Sequence, residues 1–322
     1  MQIIDGKKIA NNILAGLKKE IKLKKSEPRL AIILVGDNSS SLLYIKAKEK
    51  AAARIGVKIK KILLPKESLE SQILKVIREL NNNSNINGIL VQLPLPKGIS
   101  PAKIIKEINP EKDIDGLLPN SGFNSPFILS IWEALETTKE NLENKKIVAL
   151  VNSEIFGKRL SSFFKRKGLK INYTVIASLE KQSCRINAGL PRSARNDKRV
   201  SLPGINSLSL RGVCDAAISL SFPSLFRFAR NDGMLAVIQK ADVLITALGR
   251  PWLIKGDTIK KDAILIDGGI NRVDGKIAGD IDMESIKQKA KWLAPVPGGL
   301  GPITVAFLLK NLTKTYLRDR VP

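Results

Sequence analysis

Leu30-Ala31-Ile32-Ile33-Leu34-Val35 is an unbroken apolar run that stops at Gly36. A strand with one wet face alternates apolar and polar side chains, so a continuous apolar run calls for cover on both faces. That is the situation of a strand inside a parallel sheet with helices above and below it. The flanking sequence supplies the helices. Ile9 to Lys25 carries Ile9, Ile13, Leu14, Leu17 and Ile21 at helical spacing. Ser40 to Ile55 reads as a second helix, closed by Gly56, which tolerates the left-handed conformation of a helix stop. Val57 to Leu64 is then a strand, Leu69 to Leu80 a helix, and Ile86 to Leu93 a strand terminated by Pro94 and Pro96. Such βαβ alternation specifies an α/β fold with a parallel sheet.

A second series begins near Pro119. Phe127 to Glu136 reads as a connecting helix, Lys146 to Val151 as a strand, Phe156 to Lys167 as a helix ending at Gly168, and Ile171 to Ile176 as the next strand. Ala241 to Ala247, Ala263 to Asp267 and Trp292 to Ala294 continue the series, and Pro302 to Leu317 is a final helix. The expected architecture is two-lobed: an α/β domain over 1–119, and a Rossmann-type domain with a parallel sheet over 120–294. Between Lys181 and Gly233 the pattern breaks. Ala194-Arg195-Asn196-Asp197 recurs as Ala229-Arg230-Asn231-Asp232, and the segment holds nine Lys/Arg against three Asp. It reads as an in-frame inserted repeat at the surface, where long insertions are tolerated; a functional loop is the alternative.

Composition narrows the chemistry. At 322 residues the chain is long enough for two cores. No apolar run reaches the ~18 residues of a membrane span, and Met1-Gln2-Ile3-Ile4-Asp5-Gly6 lacks the marks of a secretion signal, so a cytoplasmic, membrane-free protein is expected. Histidine is absent, which excludes Ser-His-Asp and Cys-His catalysis, a histidine base and most zinc sites. Two cysteines, Cys184 and Cys214, make no metal site by themselves, and no metal is expected. The net charge of +24 reads either as a nucleic-acid footprint or as lysine-rich helix faces in solvent. No helix-turn-helix, zinc-finger or aromatic RNA-binding motif accompanies it, so nucleic-acid binding is the minor alternative; anionic small substrates suit the same charge.

Candidate site residues lie where strands end. Tyr44 and Lys48 are four apart and share a helix face. On spacing alone they could be a surface tyrosine beside a solvated lysine, but the helix follows the strand that stops at Gly36, and ligands of α/β sheets gather at carboxyl ends of strands. Gln92 and Pro94 end another strand, in Val91-Gln92-Leu93-Pro94-Leu95-Pro96. Asp115 closes Lys112-Asp113-Ile114-Asp115-Gly116 and is either a site carboxylate or a turn residue. Pro295-Val296-Pro297-Gly298-Gly299-Leu300-Gly301-Pro302 is either a rigid turn or a backbone pressed against a ligand.

In this order and spacing, these four pieces resemble the active-site set of the bifunctional methylenetetrahydrofolate dehydrogenase/cyclohydrolase family, along nearly the whole chain apart from the insert. The resemblance implies that the C-terminal segment 295–322 completes the first domain and that the assembly is a homodimer. It implies oxidation of 5,10-methylenetetrahydrofolate with NADP (or NAD) and hydrolysis of the methenyl product to 10-formyltetrahydrofolate. Lys48 is then the essential catalytic residue, Gln92 its hydrogen-bond partner, Tyr44 a stacking platform for folate and Asp115 a partner for the pterin N–H donors. Pro297, Gly298, Gly299, Pro302 and Thr304 fall on the family's folate loop PVPGGVGPMT, with Leu300 and Ile303 as mild changes. Cofactor contacts fall on Val151, Asn152, Ser153, Gly249, Gly269 and Ile270. Here the sequence departs from the family: Val151 replaces a glycine, Asn152 a basic or small residue and Arg159 a proline, while Glu154 adds negative charge near the expected phosphates. A cyclohydrolase with a weak or lost dehydrogenase step is the alternative.

Overall fold

The structure, a computed structural model, describes residues 1–25, 27–176, 199–202, 205–209 and 232–318. It divides into two compact units, residues 3–140 with 294–322, and residues 1–2 with 141–293. The division falls after Glu140 rather than near Pro119, so the helix read as a connection belongs to the first unit.

After a short strand, β1 (Gln2–Ile3), the first unit runs α1 (Gly6–Leu23), β2 (Arg29–Val35), α2 (Ser39–Ile55), β3 (Lys58–Leu64), α3 (Glu70–Asn81), β4 (Gly88–Val91), α4 (Pro101–Lys106) and α5 (Pro126–Thr137). Its sheet is β3-β2-β4, with β2 in the middle and parallel to both neighbours. The apolar run therefore has the position its composition demands. Leu30, Ile32 and Leu34 face Leu14, Leu17 and Ile45, while Ala31, Ile33 and Val35 face Ile73, Ile77 and Leu80. The edge strand β3 keeps Lys58, Lys60 and Lys61 in solvent, a charge pattern that discourages pairing with another chain. Asn38 caps α2 by accepting from the Ser41 N–H at 3.0 Å, and Gly56 ends it at φ 85°.

The second unit contains β5 (Ile147–Val151), α6 (Glu154–Arg166), β6 (Ile171–Val175), β7 (Arg199–Leu202), β8 (Ile205–Ser209), α7 (Asp232–Gln239), β9 (Val243–Ala247), β10 (Ala263–Asp267), β11 (Asn271–Val273), β12 (Lys276–Ala278), α8 (Met283–Ile286) and β13 (Ala290–Ala294). The sheet order is β1-β13-β10-β9-β5-β6, and β10, β9, β5 and β6 run parallel. β6 lies on one side of β5 and β9 on the other, so the strand order reverses at the carboxyl end of β5. In open α/β sheets that reversal opens the ligand crevice. The inserted segment carries the antiparallel pair β7–β8, and its last two residues open α7; the rest of that segment, cysteines included, lies outside the described residues.

The chain's last helix, α9 (Leu300–Arg318), belongs to the first unit and packs on α1, α2 and α5. Its buried face presents Val305, Leu308, Leu309 and Leu312. No helix among the described residues is long and apolar enough to cross a membrane.

Candidate active site

Three of the four catalytic candidates converge. Gln92 follows β4 directly, its N–H held by the Ile33 carbonyl of β2 at 2.8 Å. Its side-chain oxygen accepts from Lys48 Nζ at 2.8 Å, and its amide donates to the Leu93 carbonyl at 2.9 Å, which fixes the amide orientation. Lys48 projects from α2 one turn after Tyr44. Burial lowers the Lys48 pKa, and the charge of Asp115 opposes that shift. Asp115 is pushed up to about 6 by burial, against Lys48 and with a further rise from Asp113. Burial likewise raises the Tyr44 hydroxyl. The arrangement is a lysine whose burial disfavours its charged form, near a carboxyl that burial pushes up to about 6.

The loop bearing Asp115 is held from several directions. Lys112 Nζ donates to the carbonyls of Leu80, Asn81 and Asn83 at 2.8–2.9 Å, closing the C-terminal end of α3. Gly116 sits at φ 63°, and a side chain there would meet the backbone of Phe123 to Ser125 at 2.7–2.8 Å. Asn311 of α9 donates to the Ile114 carbonyl at 2.9 Å and the Asn124 carbonyl at 3.1 Å. Sequence reading missed Asn311, although a lone amide among Leu308, Leu309 and Leu312 is the signal of a buried polar anchor. Asn311→Leu removes the donor from the buried Ile114 carbonyl and cuts the tie to the Asn124 carbonyl. It should cost about 1–3 kcal/mol, read as a lower denaturant midpoint; an unchanged midpoint would show that the anchor is dispensable.

The proline–glycine loop is fixed differently. Pro297 is exposed, Gly298 half-buried at φ 106°, and Gly299 buried with its N–H on the Pro295 carbonyl at 2.8 Å. A side chain on Gly299 would meet the Pro295 carbonyl at 2.5 Å, and one on Gly6, at the start of α1, would overlap the Gly299 carbonyl. Gly6 was not recognisable as a site-supporting residue, because its partner is remote in sequence. Pro302 is partly buried in the first turn of α9. The Thr304 hydroxyl lies 3.0 Å from both Ser130 Oγ and the Leu300 carbonyl, so it joins α9 to α5. The Leu93–Pro94 and Val296–Pro297 bonds are cis.

In the second unit, Asn152 and Ser153 stand at the strand-order reversal, and Ser153 caps α6. Val151 does not share that position. Its side chain is wholly buried in the sheet between Val175 and Ala247, so of the three turn candidates only Asn152 and Ser153 face outward. Glu154 accepts from the Tyr173 hydroxyl at 2.8 Å and pairs with Lys158 at 3.5 Å. Two buried carboxylates organise the remaining candidates. Asp280 accepts from the N–H groups of Leu248 and Arg250, each at 2.7 Å, around Gly249 at φ 68°. Asp267 accepts from Gly269, Asp280 and Ile281 at 2.9–3.0 Å. Side chains at Gly269 or Gly279 would fall on the Asp280 or Asp267 carboxylate. Burial raises both, Asp267 to about 7. Ile270 remains exposed beside them. A capped helix N-terminus with tight glycine turns fits a dinucleotide. A cavity of about 500 Å³ between Leu142–Lys146 and Gly168–Lys170 lies at the opposite strand ends and holds none of the candidates.

Comparison with known proteins decides between the readings. The tetrahydrofolate dehydrogenase/cyclohydrolase catalytic domain matches residues 4–115, and the NAD(P)-binding domain of that family matches 228–320. The bifunctional protein FolD of Rickettsia bellii (strain RML369-C) is 34% identical over 98% of both chains. The chain belongs to the tetrahydrofolate dehydrogenase/cyclohydrolase family. Among solved structures, the bifunctional FolD methylenetetrahydrofolate dehydrogenase/cyclohydrolase of Campylobacter jejuni is 30% identical, with a TM-score of 0.77 over the whole of both chains. The Trypanosoma brucei methylenetetrahydrofolate dehydrogenase-cyclohydrolase, complexed with NADP cofactor and inhibitor, is 25% identical with a TM-score of 0.76, covering 99% and 98% of the two chains. The two family domains leave 116–227 between them, the stretch that holds the altered turn and most of the insert.

Proposed function

We propose that this family member oxidises 5,10-methylenetetrahydrofolate to the methenyl cation with NADP and hydrolyses that cation to 10-formyltetrahydrofolate. The observation that carries the reading is the 2.8 Å hydrogen bond from Lys48 to Gln92, on a lysine whose proton is loosened by burial beside Asp115. When bound, NADP supplies the hydride acceptor for the first step, with Asn152, Ser153, Gly249, Gly269 and Ile270 as the residues that would hold it. In the second step, water adds to the methenyl carbon and gives up a proton. The bond from that carbon to N5 then breaks as the hydroxyl left on the carbon loses its own proton to become the formyl oxygen; N5 takes one proton, and one is released to solvent overall. Lys48, steered by Gln92, takes the water proton and returns one to N5. Asp115 accepts from the pterin N–H donors, and Tyr44 covers the ring with its apolar body. By analogy with the family, the protein acts as a homodimer in the cytoplasm.

The test is purified protein given methylenetetrahydrofolate with NADP or NAD, followed for reduced cofactor and for methenyl and formyl products. Reduced cofactor formed in step with folate oxidation is expected; no conversion of either would sink the reading.

One observation favours a hydrolase whose first step is weak: Glu154 places a carboxylate in the first turn of α6, where a dinucleotide phosphate gains from the helix N-terminus. Glu154→Gln should tighten NADP binding about two- to fivefold at low salt, with the gain shrinking as salt rises. Equal affinities by calorimetry would show that the Tyr173 and Lys158 contacts already neutralise the charge. Val151→Gly, by contrast, should not help, because it removes a buried side chain from β5.

A further inference from the structure

We propose that Glu154 is a cofactor-selecting residue: its carboxylate accepts from the 2′-hydroxyl of the adenosine ribose, so that this chain takes NAD as well as NADP. The inference rests on the dehydrogenase step proposed above and deepens it by naming what distinguishes the two nucleotides.

The carboxylate is held in place. Glu154 opens α6 directly after the capping residue Ser153, where the strand order reverses at the end of β5. Its Oε1 accepts from the Tyr173 hydroxyl at 2.8 Å. Tyr173 lies on β6, two residues before the last residue of that strand, Val175, so the contact draws the carboxylate towards β6. The Tyr173 ring packs on Gly157, one turn into α6, where a side chain would meet ring atoms at 2.4 Å. Lys158 pairs with the same Oε1 at 3.5 Å. A carboxylate in a first turn suits the helix dipole by itself, but that needs no tyrosine from the next strand and no glycine to seat its ring. An exposed ion pair adds little to stability, so folding does not account for the assembly.

Doubly wound sheets bind dinucleotides in the crevice at such a reversal, and they tell NAD from NADP by the charge that meets the adenosine ribose. A carboxylate accepts from the free 2′-hydroxyl of NAD, whereas a basic side chain accommodates the 2′-phosphate of NADP. That carboxylate ordinarily comes from the second strand of the unit; here α6 supplies it, and Tyr173 of the second strand holds it. The turn residues Asn152 and Ser153 are uncharged, and the Asn152 amide donates to the Leu248 carbonyl at 3.4 Å. Lys158, the basic group beside the carboxylate, is already engaged by it. The local charge therefore favours a hydroxyl over a phosphate.

Removing negative charge from α6 strengthens any phosphate-bearing ligand, so tighter NADP binding alone does not identify the contact. A cycle that deletes each partner in turn does. Calorimetry on the native chain and Glu154→Ala measures Kd for NAD, NADP and NAD lacking the adenosine 2′-hydroxyl. The native chain should bind NAD about five- to tenfold tighter than the deoxy analogue, and Glu154→Ala should bring the two within about twofold. Tyr173→Phe, which keeps the ring on Gly157 and releases the carboxylate, should bring the ratio part of the way to one. Native affinities for NAD and NADP should lie within about tenfold of each other, with Glu154→Ala shifted towards NADP. A native ratio of NAD to deoxy analogue near one, or a ratio that survives in Glu154→Ala, overturns the proposal. Native protein that binds neither dinucleotide removes the dehydrogenase step of the proposed function and this inference with it; binding of both without dependence on the hydroxyl removes this inference alone.

Discussion

Lys48→Met should reduce methenyltetrahydrofolate hydrolysis by about 10²-fold or more without loss of folded protein. The side chain keeps most of its length and apolar stem, so packing on α2 is preserved. What disappears is the only amine hydrogen-bonded to Gln92 among the described contacts, at 2.8 Å. Stability should hold or improve. Because burial lowers the Lys48 pKa, the folded state binds this proton less tightly than the unfolded chain, and at neutral pH the charged form weighs against folding. A neutral thioether removes that term, and water can satisfy the half-exposed Gln92 oxygen. The check is a rate measured beside a thermal midpoint. Native-rate hydrolysis by the variant would remove Lys48 from the mechanism, and collapse of the midpoint would make it a structural residue.

Gly6→Ala should be the most damaging small substitution in the first unit. The added methyl would occupy the position of the Gly299 carbonyl oxygen, a backbone atom that no side-chain rotation can clear. Either α1 shifts at its Asp5-capped start, where the Asp5 carboxylate accepts from the Lys7 and Lys8 N–H groups at 3.0 Å, or the Gly298–Gly299 turn moves. The expected loss is about 3 kcal/mol, with weaker folate binding because the moved turn is the candidate folate loop. NADP binding serves as the internal control and should be little changed. Thermal melts and folate titrations of the variant test this together; native values in both would show that the turn yields without consequence.

The parts of this molecule legible in its sequence are those written in local pattern. The run Leu30 to Val35 could only be a strand covered on both faces, and it lies at the centre of its sheet. Gly56 ended its helix, and Gln92 fell at a strand end, because a left-handed stop and a proline break are local facts. Asp115 and Lys48, remote in sequence, were drawn together only by the rule that ligands gather at carboxyl ends of strands and by family resemblance. Three things were illegible for one physical reason: a local pattern shows that a face is apolar but not what covers it. Pro126–Thr137 has a buried face of Ile128, Ile131, Ala134 and Leu135, but nothing in it says that α9 is the cover, and the domain boundary was placed too early as a result. Val151 reads as the first residue of a cofactor turn, yet it is the last fully paired residue of β5. Gly6 looks like a helix start, and its requirement for glycine comes from a carbonyl near the other end of the chain.

On the proposed function, Lys48, Gln92 and Asp115 of the first unit hydrolyse the methenyl substrate without any nucleotide. The most direct measurement is the initial rate of methenyltetrahydrofolate hydrolysis at neutral pH, with nucleotide rigorously removed and the buffer-catalysed rate subtracted. A saturable rate proportional to protein concentration and unchanged by adding NADP is expected. A rate no greater than buffer alone, in protein that melts cooperatively, would contradict it.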